Sequence, residues 1–161
     1  MKDRITLTTE LILETFRLNG DLLDAGDRLV ADIGLTSARW QVLGAVMMSP
    51  VPLPVAHLAR NMGLSRQGVQ RIANELVADG LADFAANPHH ARAQLVIATE
   101  KGQRAYDEAM KRQRPWAADL GRSLARDELA VALKVLQSFR AHLSSSTSSE
   151  GNGRHGAQKH S

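Results

Sequence analysis

Polar and cationic side chains follow Ser65 at the spacing of one helix face. We call this set the polar face, and its members are Arg66, Gln67, Gln70, Arg71 and Asn74. Arginine can bind O6 and N7 of guanine with two hydrogen bonds, and glutamine or asparagine can bind N6 and N7 of adenine in the same way. Acidic side chains, which would repel phosphate, are absent from this stretch until Glu75. The polar face therefore indicates base recognition in the major groove of double-stranded DNA.

Two short helices joined by a tight turn would position the polar face. The sequence predicts the first helix over residues 55–62 and the second over residues 66–79. Gly63 is placed to turn the chain, and Ser65 is placed to cap the second helix. The apolar positions that would hold the two helices together are Leu58, Ala59, Val69, Ile72, Ala73 and Leu76. Since any solvated helix can carry Arg, Gln and Asn, a two-helix corner that never binds DNA stays open as the alternative.

A β-hairpin is predicted immediately after this corner. Residues 81–84 and 94–98 have the pattern of short strands, and the tip between them contains Asn87-Pro88. Arg92 is the charged residue of this tip. A basic two-stranded wing beside a helical corner adds contacts to the phosphate backbone or the minor groove.

Long helices are predicted before and after the segment that contains the two-helix corner and the hairpin. Apolar side chains recur in two ridges over residues 9–33, so this helix needs cover on two sides. A partner subunit could supply the second cover, although a helix central to its own domain would show the same pattern. Thr36 is predicted to cap the next helix. Further helices are predicted over residues 99–110, with a kink or restart at Pro115, and over residues 127–143.

The composition limits the classes of protein that fit. With 161 residues, 43% of them hydrophobic and few aromatic, the chain suits one mainly helical domain with an aliphatic core. It has no cysteine for a disulfide or thiolate zinc site. No apolar run approaches the ~18 residues of a membrane span, and no secretion signal is evident, so a cytoplasmic protein without a membrane partner is expected. The net charge is −3 over residues 1–34 and +3 over residues 35–104, which favours an anionic partner in the middle.

We expect neither an enzyme nor a cofactor. The sequence has no glycine-rich phosphate loop, no cysteine nucleophile and no Ser, His and Asp set in the local context of a catalytic triad. His89 and His90 suggest a metal site, but adjacent residues on a loop point poorly at one ion, and no histidine pair has i, i+4 spacing. We therefore predict no metal site.

A small-molecule pocket is a separate hypothesis. Phe16, Arg39 and Trp40 lie where the first two helices should approach the DNA-binding lobe, and they could line such a pocket. The alternative is that Trp40 belongs to the core and that Arg39 is a solvated charge.

The order and spacing of these features resemble the MarR family of winged helix-turn-helix regulators. The resemblance rests on residues 36–43 (TSARWQVL), the two-helix corner, residues 76–81 and residues 87–102, and it extends over about residues 9–143. It implies a mainly α, winged helix-turn-helix fold with about six helices and a two- or three-stranded wing sheet.

Four segments are expected on this basis. They are an N-terminal dimerisation helix at 1–34, a DNA-binding lobe at 35–102, C-terminal dimerisation helices at 103–143 and a disordered tail at 144–161. The tail has no large apolar residue whose burial could offset the entropy of ordering it.

The resemblance also implies a homodimeric transcriptional regulator, typically a repressor, that binds a pseudo-palindromic operator through the polar face. A small aromatic or anionic effector would bind between the dimerisation helices and the DNA-binding lobe and release the DNA. The alternative is a winged-helix module that binds a protein partner, or binds DNA architecturally, without a small-molecule signal. A protein-binding face would expose leucine or aromatic anchors, whereas this face exposes Arg, Gln and Asn.

The wing departs from the family pattern. The usual run of an acidic residue, Pro, any residue, Asp, Arg and Arg appears here as NPHHAR, residues 87–92. His90 and Ala91 replace the Asp and the first Arg that normally stabilise the wing. Arg92 and His90 remain the expected wing contacts to DNA, with His90 binding phosphate more strongly when it is protonated.

Overall fold

The structure is a computed structural model that describes residues 1–151. Within that range the chain forms six α-helices and three short strands. In chain order they are α1 (Arg4–Val30), α2 (Ser37–Met48), β1 (Leu53–Pro54), α3 (Val55–Met62), α4 (Arg66–Ala78), β2 (Ala82–Ala85), β3 (Leu95–Ala98), α5 (Glu100–Leu120) and α6 (Arg126–Gly151). A turn of 3-10 helix, Ala31–Ile33, follows α1. The predicted mainly α, winged helix-turn-helix fold is confirmed.

Local caps set the ends of α3 and α4. The Ser65 hydroxyl accepts a hydrogen bond from the Gly68 N–H at 3.1 Å and so starts α4. Gly63 and Gly80 adopt left-handed backbone angles, with φ of 68° and 70°, where residues with a Cβ would be strained. The bounds of α3 and α4 therefore agree closely with the predicted corner.

The first helix begins earlier than predicted. The Asp3 carboxylate accepts a hydrogen bond from the Thr6 N–H at 2.8 Å, and α1 starts at Arg4 instead of residue 9. Thr36 caps α2 as expected, by accepting from the Arg39 N–H at 3.2 Å. A cap that satisfies the first N–H groups can thus extend a helix beyond the segment that its apolar ridges indicate.

The wing sheet has three antiparallel strands in the order β1-β3-β2. β3 is central: Val96 lies opposite Phe84 of β2 on one side and Leu53 of β1 on the other. The third strand is the two-residue segment Leu53–Pro54, and its proline fits because an edge strand tolerates a missing N–H.

A hydrophobic core lies between α2, α3, α4 and the sheet. The six corner positions predicted to be apolar contacts are all buried, and Leu43 and Val96 join them. Burying a Leu, Val or Ile side chain contributes about 1.5–3 kcal/mol relative to leaving it in water. These contacts fix α4 and leave its polar face outside.

Helix α1 is not central to its own domain. Of its residues only Gly26 and Val30 are buried, and both lie near its C-terminal end. Its apolar ridges are exposed in the single chain, including Leu11, Ile12, Phe16, Leu18, Leu22 and Leu23. Within the unit formed by residues 1–116, these side chains therefore keep from about a third to most of their surface exposed.

The chain divides into one compact unit over Met1–Trp116 and a second from Ala117 onward. In the second unit, the Glu128 carboxylate accepts a hydrogen bond from the Ala125 N–H at 2.7 Å and starts α6. The helix does not end at Leu143 but continues to Gly151, so the predicted tail is helical over 144–151. Once a helix is nucleated, each added residue gains one hydrogen bond against the entropy of fixing it, so a segment without large apolar residues can continue an existing helix. The rest of the predicted tail, 152–161, lies outside the described residues.

Pro115 does not interrupt α5. The helix runs from Glu100 to Leu120 with the proline inside it, so the predicted kink or restart does not divide it.

Candidate nucleic-acid interface and cavity

Helix α4 presents the polar face to solvent. Val69, Ile72, Ala73 and Leu76 are buried on the opposite side of the helix. Of the polar face, Gln70 is half-buried and its other four members are exposed. The five side chains line one continuous shallow surface together with Glu75 and Ala78. The structure thus brings together the five residues that the sequence indicated.

Two pairs of polar contacts order this surface. The Gln70 amide donates to the Asn74 side-chain oxygen at 3.0 Å, and the Arg71 guanidinium donates to the Glu75 carboxylate at 2.6 Å. Sequence reasoning treated Glu75 only as the end of an acid-free stretch. Its i, i+4 spacing from Arg71 was the signal that predicts this ion pair.

A glycine near the start of α4 leaves room for the cap. A Cβ on Gly68 would lie 3.0 Å from the Ser65 Oγ, closer than ordinary side-chain contacts. Gly68 therefore lets Ser65 approach the first turn of α4 while it accepts the hydrogen bond of the Gly68 N–H.

Asn87 organises the wing tip. Its side chain donates to the Ala93 carbonyl at 2.9 Å and accepts from the His89 N–H at 3.0 Å. Its own carbonyl accepts from the His90 N–H at 3.2 Å. Asn87 therefore holds the tip together through local hydrogen bonds, although His90 and Ala91 stand where the family pattern has Asp and its first Arg. His90 and Arg92 are both exposed on this tip.

The end of α4 is joined to the start of α5. The Thr99 hydroxyl donates to the Gly80 carbonyl at 2.7 Å, and the Lys101 ammonium donates to the Asp79 carbonyl at 2.8 Å. A Cβ on Gly102 would lie 1.9 Å from the Leu81 carbonyl oxygen, so the two backbones touch here. Only glycine fits such a contact without moving the backbone.

Arg39 is not a solvated charge, and it lies outside the lining of the cavity that is described below. Its guanidinium donates to the Asp79 carboxylate and to the Gly34 carbonyl, the latter at 3.0 Å. The side chain is only 14% exposed, and its Nε atom is buried without a hydrogen-bond partner. Arg39 therefore connects the start of α2 with the residue that ends α4.

A second ion pair, Arg112–Asp32, joins α5 to the end of α1 and the turn that follows it. The Arg112 guanidinium donates to the Asp32 carboxylate, to the Leu29 carbonyl at 3.3 Å and to Glu108 at 3.3 Å. The hydrogen bond from Arg112 lowers the pKa of Asp32, and the bond to Asp32 raises the pKa of Arg112. Both groups are therefore held in their charged forms.

A cavity of about 630 Å³ lies within the first unit, between α1, α2, α3 and α5. Its aromatic lining consists of Trp40, Tyr106 and Trp116, and its flexible apolar lining includes Met48, Met62 and Met110. A further set of polar side chains reaches its wall: Asn19, Ser37, Gln41 and Gln113. We refer to this space as the cavity.

Of the three residues expected around a pocket, Trp40 lines the cavity. It is half-buried and also packs against the core, so its two expected roles coexist. Phe16 lies outside the lining and is 71% exposed on α1. Tyr106 was not singled out from the sequence; its ring packs on Gly44, where a Cβ would lie 3.2 Å from Tyr106 Cε2.

Among the described residues, no three His, Asp or Glu side chains are grouped as a metal ion would require. No helix in the same part of the chain is long and apolar enough to cross a membrane.

Known proteins share this fold and part of this sequence. A family model described as the MarR family matches residues 33–93. An uncharacterised protein of Mycobacterium tuberculosis, Rv2011c, is 42% identical over 104 residues, which cover 65% of this chain and 69% of that protein.

Two solved structures are similar in fold at low sequence identity. One is a MarR variant from E. coli in complex with operator DNA, with a TM-score of 0.74, 18% identity, and coverage of 86% of this chain and 99% of that chain. The other is CouR from Rhodococcus jostii RHA1 bound to p-coumaroyl-CoA, with a TM-score of 0.69, 24% identity, and coverage of 76% and 86% respectively.

Proposed function

The chain belongs to the MarR family of transcriptional regulators, and we propose that it binds a specific double-stranded DNA operator as a homodimer. The observation that carries this proposal is the polar face, fixed on a helix whose opposite side is buried. Its side chains have the donors and acceptors that distinguish guanine and adenine edges in the major groove. The operator complex of the structurally similar E. coli protein supports the same use of the fold.

In this proposal α4 enters the major groove and the wing lies beside it. Arg66, Gln67, Gln70, Arg71 and Asn74 contact bases or phosphates, and Ser65 lies at the helix N-terminus, where the dipole favours phosphate. Arg71 must exchange Glu75 for DNA when it binds. His90 and Arg92 on the ordered wing tip contact the backbone or the minor groove.

The exposed apolar side chains support a homodimer. They run along α1, and a separate set runs along α6, including Leu129, Leu133 and Leu136. Burial of such surface against a second copy would contribute about 25 cal/mol per Å². A two-fold dimer would present two α4 helices to half-sites about 34–36 Å apart, which fits a pseudo-palindrome.

The proposed output is repression relieved by a small-molecule effector. A dimer bound across a promoter would exclude polymerase, and an effector in the cavity would favour a DNA-incompetent dimer if it binds that state more tightly. We expect the protein to act in the cytoplasm, without enzymatic activity. A reporter gene behind the operator tests the sign of regulation: higher expression on deletion of the regulator is expected, and lower expression would show activation.

DNA binding can be tested by fluorescence anisotropy. The probe is DNA from upstream of the protein's own gene, compared with scrambled DNA at two salt concentrations. Arg66→Ala should weaken specific binding by about 1–3 kcal/mol, roughly 5- to 150-fold. The matched control is Arg104→Ala, because Arg104 is an exposed arginine of α5 that pairs with Glu100 outside the polar face.

Two results would contradict the proposal in different ways. Equal and steeply salt-dependent binding to both DNAs would indicate an architectural protein. No binding at low salt would indicate a module for a protein partner.

A further inference from the structure

The side chains of Gln70 and Asn74 are hydrogen-bonded to each other on the polar face, and we propose that this amide pair reads one adenine of the operator as a single unit. The Gln70 amide donates to the Asn74 side-chain oxygen at 3.0 Å. The assignment rests on the proposed function and adds to it the identity of one base and of the two side chains that contact it.

The amide pair lies in the middle of the exposed side of α4. Its two members are one turn apart, so both side chains project from the same line along the helix. Val69 and Ala73, each the residue before one member of the pair, have no exposed surface and hold this part of α4 against the core. The backbone that carries the pair is therefore fixed, while both amide side chains line the exposed surface.

The hydrogen bond within the amide pair determines which polar atoms remain for DNA. Gln70 keeps its Oε1 as an acceptor, and Asn74 keeps both N–H groups of its Nδ2 as donors. If both amides are turned over, Asn74 keeps the acceptor and Gln70 keeps the donors. Either orientation therefore presents one free oxygen beside one free amide nitrogen.

Adenine is the base whose major-groove edge matches this arrangement. Its N6 amino group donates a hydrogen bond and its N7 accepts one. Guanine presents two acceptors, O6 and N7, so one of them would face the free oxygen of the amide pair. Cytosine offers a donor alone, and thymine an acceptor beside a methyl group, so each would leave one end of the pair without a partner.

The side chains around the amide pair differ from it in charge or in partners. Arg71 lies between the two members in sequence and pairs with Glu75 at 2.6 Å. Arg66 lies one turn before Gln70, and among residues 1–151 no ion pair engages it, so it is available for guanine or phosphate. Gln67 is exposed on the same helix, and within the same range no side-chain hydrogen bond engages its amide. Gln67 is therefore the matched control for the pair.

Selection from random DNA provides the probe for the test. The full chain selects double-stranded DNA from a library with about 20 randomised base pairs, which hold two half-sites one helical turn apart. Anisotropy then measures binding to the selected sequence, with each base pair of one half-site replaced in turn by the other three. We expect one A·T pair at which replacement by G·C weakens binding about 5- to 150-fold. Gln70→Ala and Asn74→Ala should both remove the preference at that base pair.

A double-mutant cycle tests whether the two amides act together. Loss of either amide frees the other to rotate, so the combined variant should bind no more than about twofold weaker than the worse single variant. Gln67→Ala removes the same group about 10 Å along the helix from Asn74, so its effect should multiply with that of Asn74→Ala. Alanine favours the helix, so all of these variants should keep α4 folded.

Two modified adenines test the atoms of the contact. The base 7-deazaadenine lacks the N7 acceptor, unsubstituted purine lacks the N6 amino donor, and both keep the outline of adenine. Each should weaken binding by the original chain about two- to tenfold at the assigned position. Neither should further weaken binding by the variant that lacks both amides.

The possible results separate this assignment from the proposed function. With sequence-specific DNA binding intact, the assignment alone would be overturned by any of four results: relaxed preference at two different base pairs, multiplied losses in the combined variant, a base other than adenine at the shared position, or an unchanged base preference. Equal binding to all DNA, with no selected sequence, would instead defeat the proposed function and the assignment with it.

Discussion

The guanidinium of Arg39 donates to the carboxylate of Asp79, across forty residues of sequence. Trp40, the next residue of α2, lines the cavity, and Asp79 ends α4. A single turn of α2 thus contacts both the cavity and the end of the helix that carries the polar face. In the proposed regulation, an effector that moves Trp40 would act on α4 through this ion pair.

Loss of the Asp79 carboxylate should destabilise the lobe. In Asp79→Asn the Arg39 guanidinium keeps the Gly34 carbonyl but loses its charged partner, so the free energy of unfolding should fall by about 1 kcal/mol. The value is modest because Asp79 is half exposed. Urea denaturation at one protein concentration measures it. The control Asp83→Asn, exposed on β2, should change stability by less than about 0.5 kcal/mol, and equal losses would contradict the role of the pair.

Neutralising Glu75 should strengthen DNA binding. Glu75→Gln releases Arg71 and removes a negative charge beside the polar face. We expect a gain of roughly 0.5–1 kcal/mol, about two- to fivefold in affinity by anisotropy. Glu100→Gln breaks an equivalent i, i+4 pair with Arg104 on α5 and should have no effect. Unchanged affinity in Glu75→Gln would place Arg71 outside the interface.

Removing the Asn87 side chain should loosen the wing tip. Asn87→Ala loses the bonds to the Ala93 carbonyl and the His89 N–H, so amide hydrogen exchange at residue 89 should accelerate, and DNA affinity should fall. His89→Ala is the matched control, because the bonded N–H belongs to the backbone and remains in place. Equal exchange in the two variants would show that Asn87 does not order the tip.

Two glycine substitutions should change stability in opposite directions. Gly102→Ala forces a Cβ against the Leu81 carbonyl and should cost at least about 1–3 kcal/mol of unfolding free energy. Gly20→Ala, with no atom within 4 Å of the new Cβ on α1, should stabilise the helix by roughly 0.5–1 kcal/mol. Thermal or urea unfolding of both variants measures the contrast. A neutral Gly102→Ala would mean that the two backbones separate easily.

The Asp32–Arg112 pair predicts a pH dependence of stability. Because its hydrogen bond from Arg112 lowers the Asp32 pKa below the ordinary 3.8, the folded state holds this proton less tightly than the unfolded state. Its contribution is therefore complete above pH 3.8 and is lost as the pH falls through the folded pKa. Asp32→Asn should flatten the stability profile below pH 3.8. A profile with the wild-type slope in Asp32→Asn would refute the assignment.

Helix ends in the DNA-binding lobe could be predicted from sequence because their causes are local. Ser65, Thr36, Gly63 and Gly80 act within a few residues of themselves, and the structure places the corner as expected. The structure of the wing tip was harder to predict. His90 and Ala91 replace the residues that stabilise the wing in the family pattern, and nothing local indicated that Asn87 takes over this role.

Contacts between distant residues could not be predicted in this way. Strand β1 consists of two residues whose partners on β3 lie more than forty positions away, so no local alternation indicates it. From the sequence, Arg39 could be taken for a solvated charge, because its partner Asp79 lies 40 residues further along the chain. The cavity wall combines residues from four helices, of which the sequence indicated Trp40 and missed Tyr106 and Trp116.

The placement of both tryptophans in one wall has a practical consequence for spectroscopy. Since the chain contains no other indole, its entire tryptophan emission originates at Trp40 and Trp116. Indole emission shifts to shorter wavelength when water leaves its surroundings. Tryptophan fluorescence of the unlabelled protein therefore reports whether the cavity holds water or another molecule, in solution and while DNA is bound.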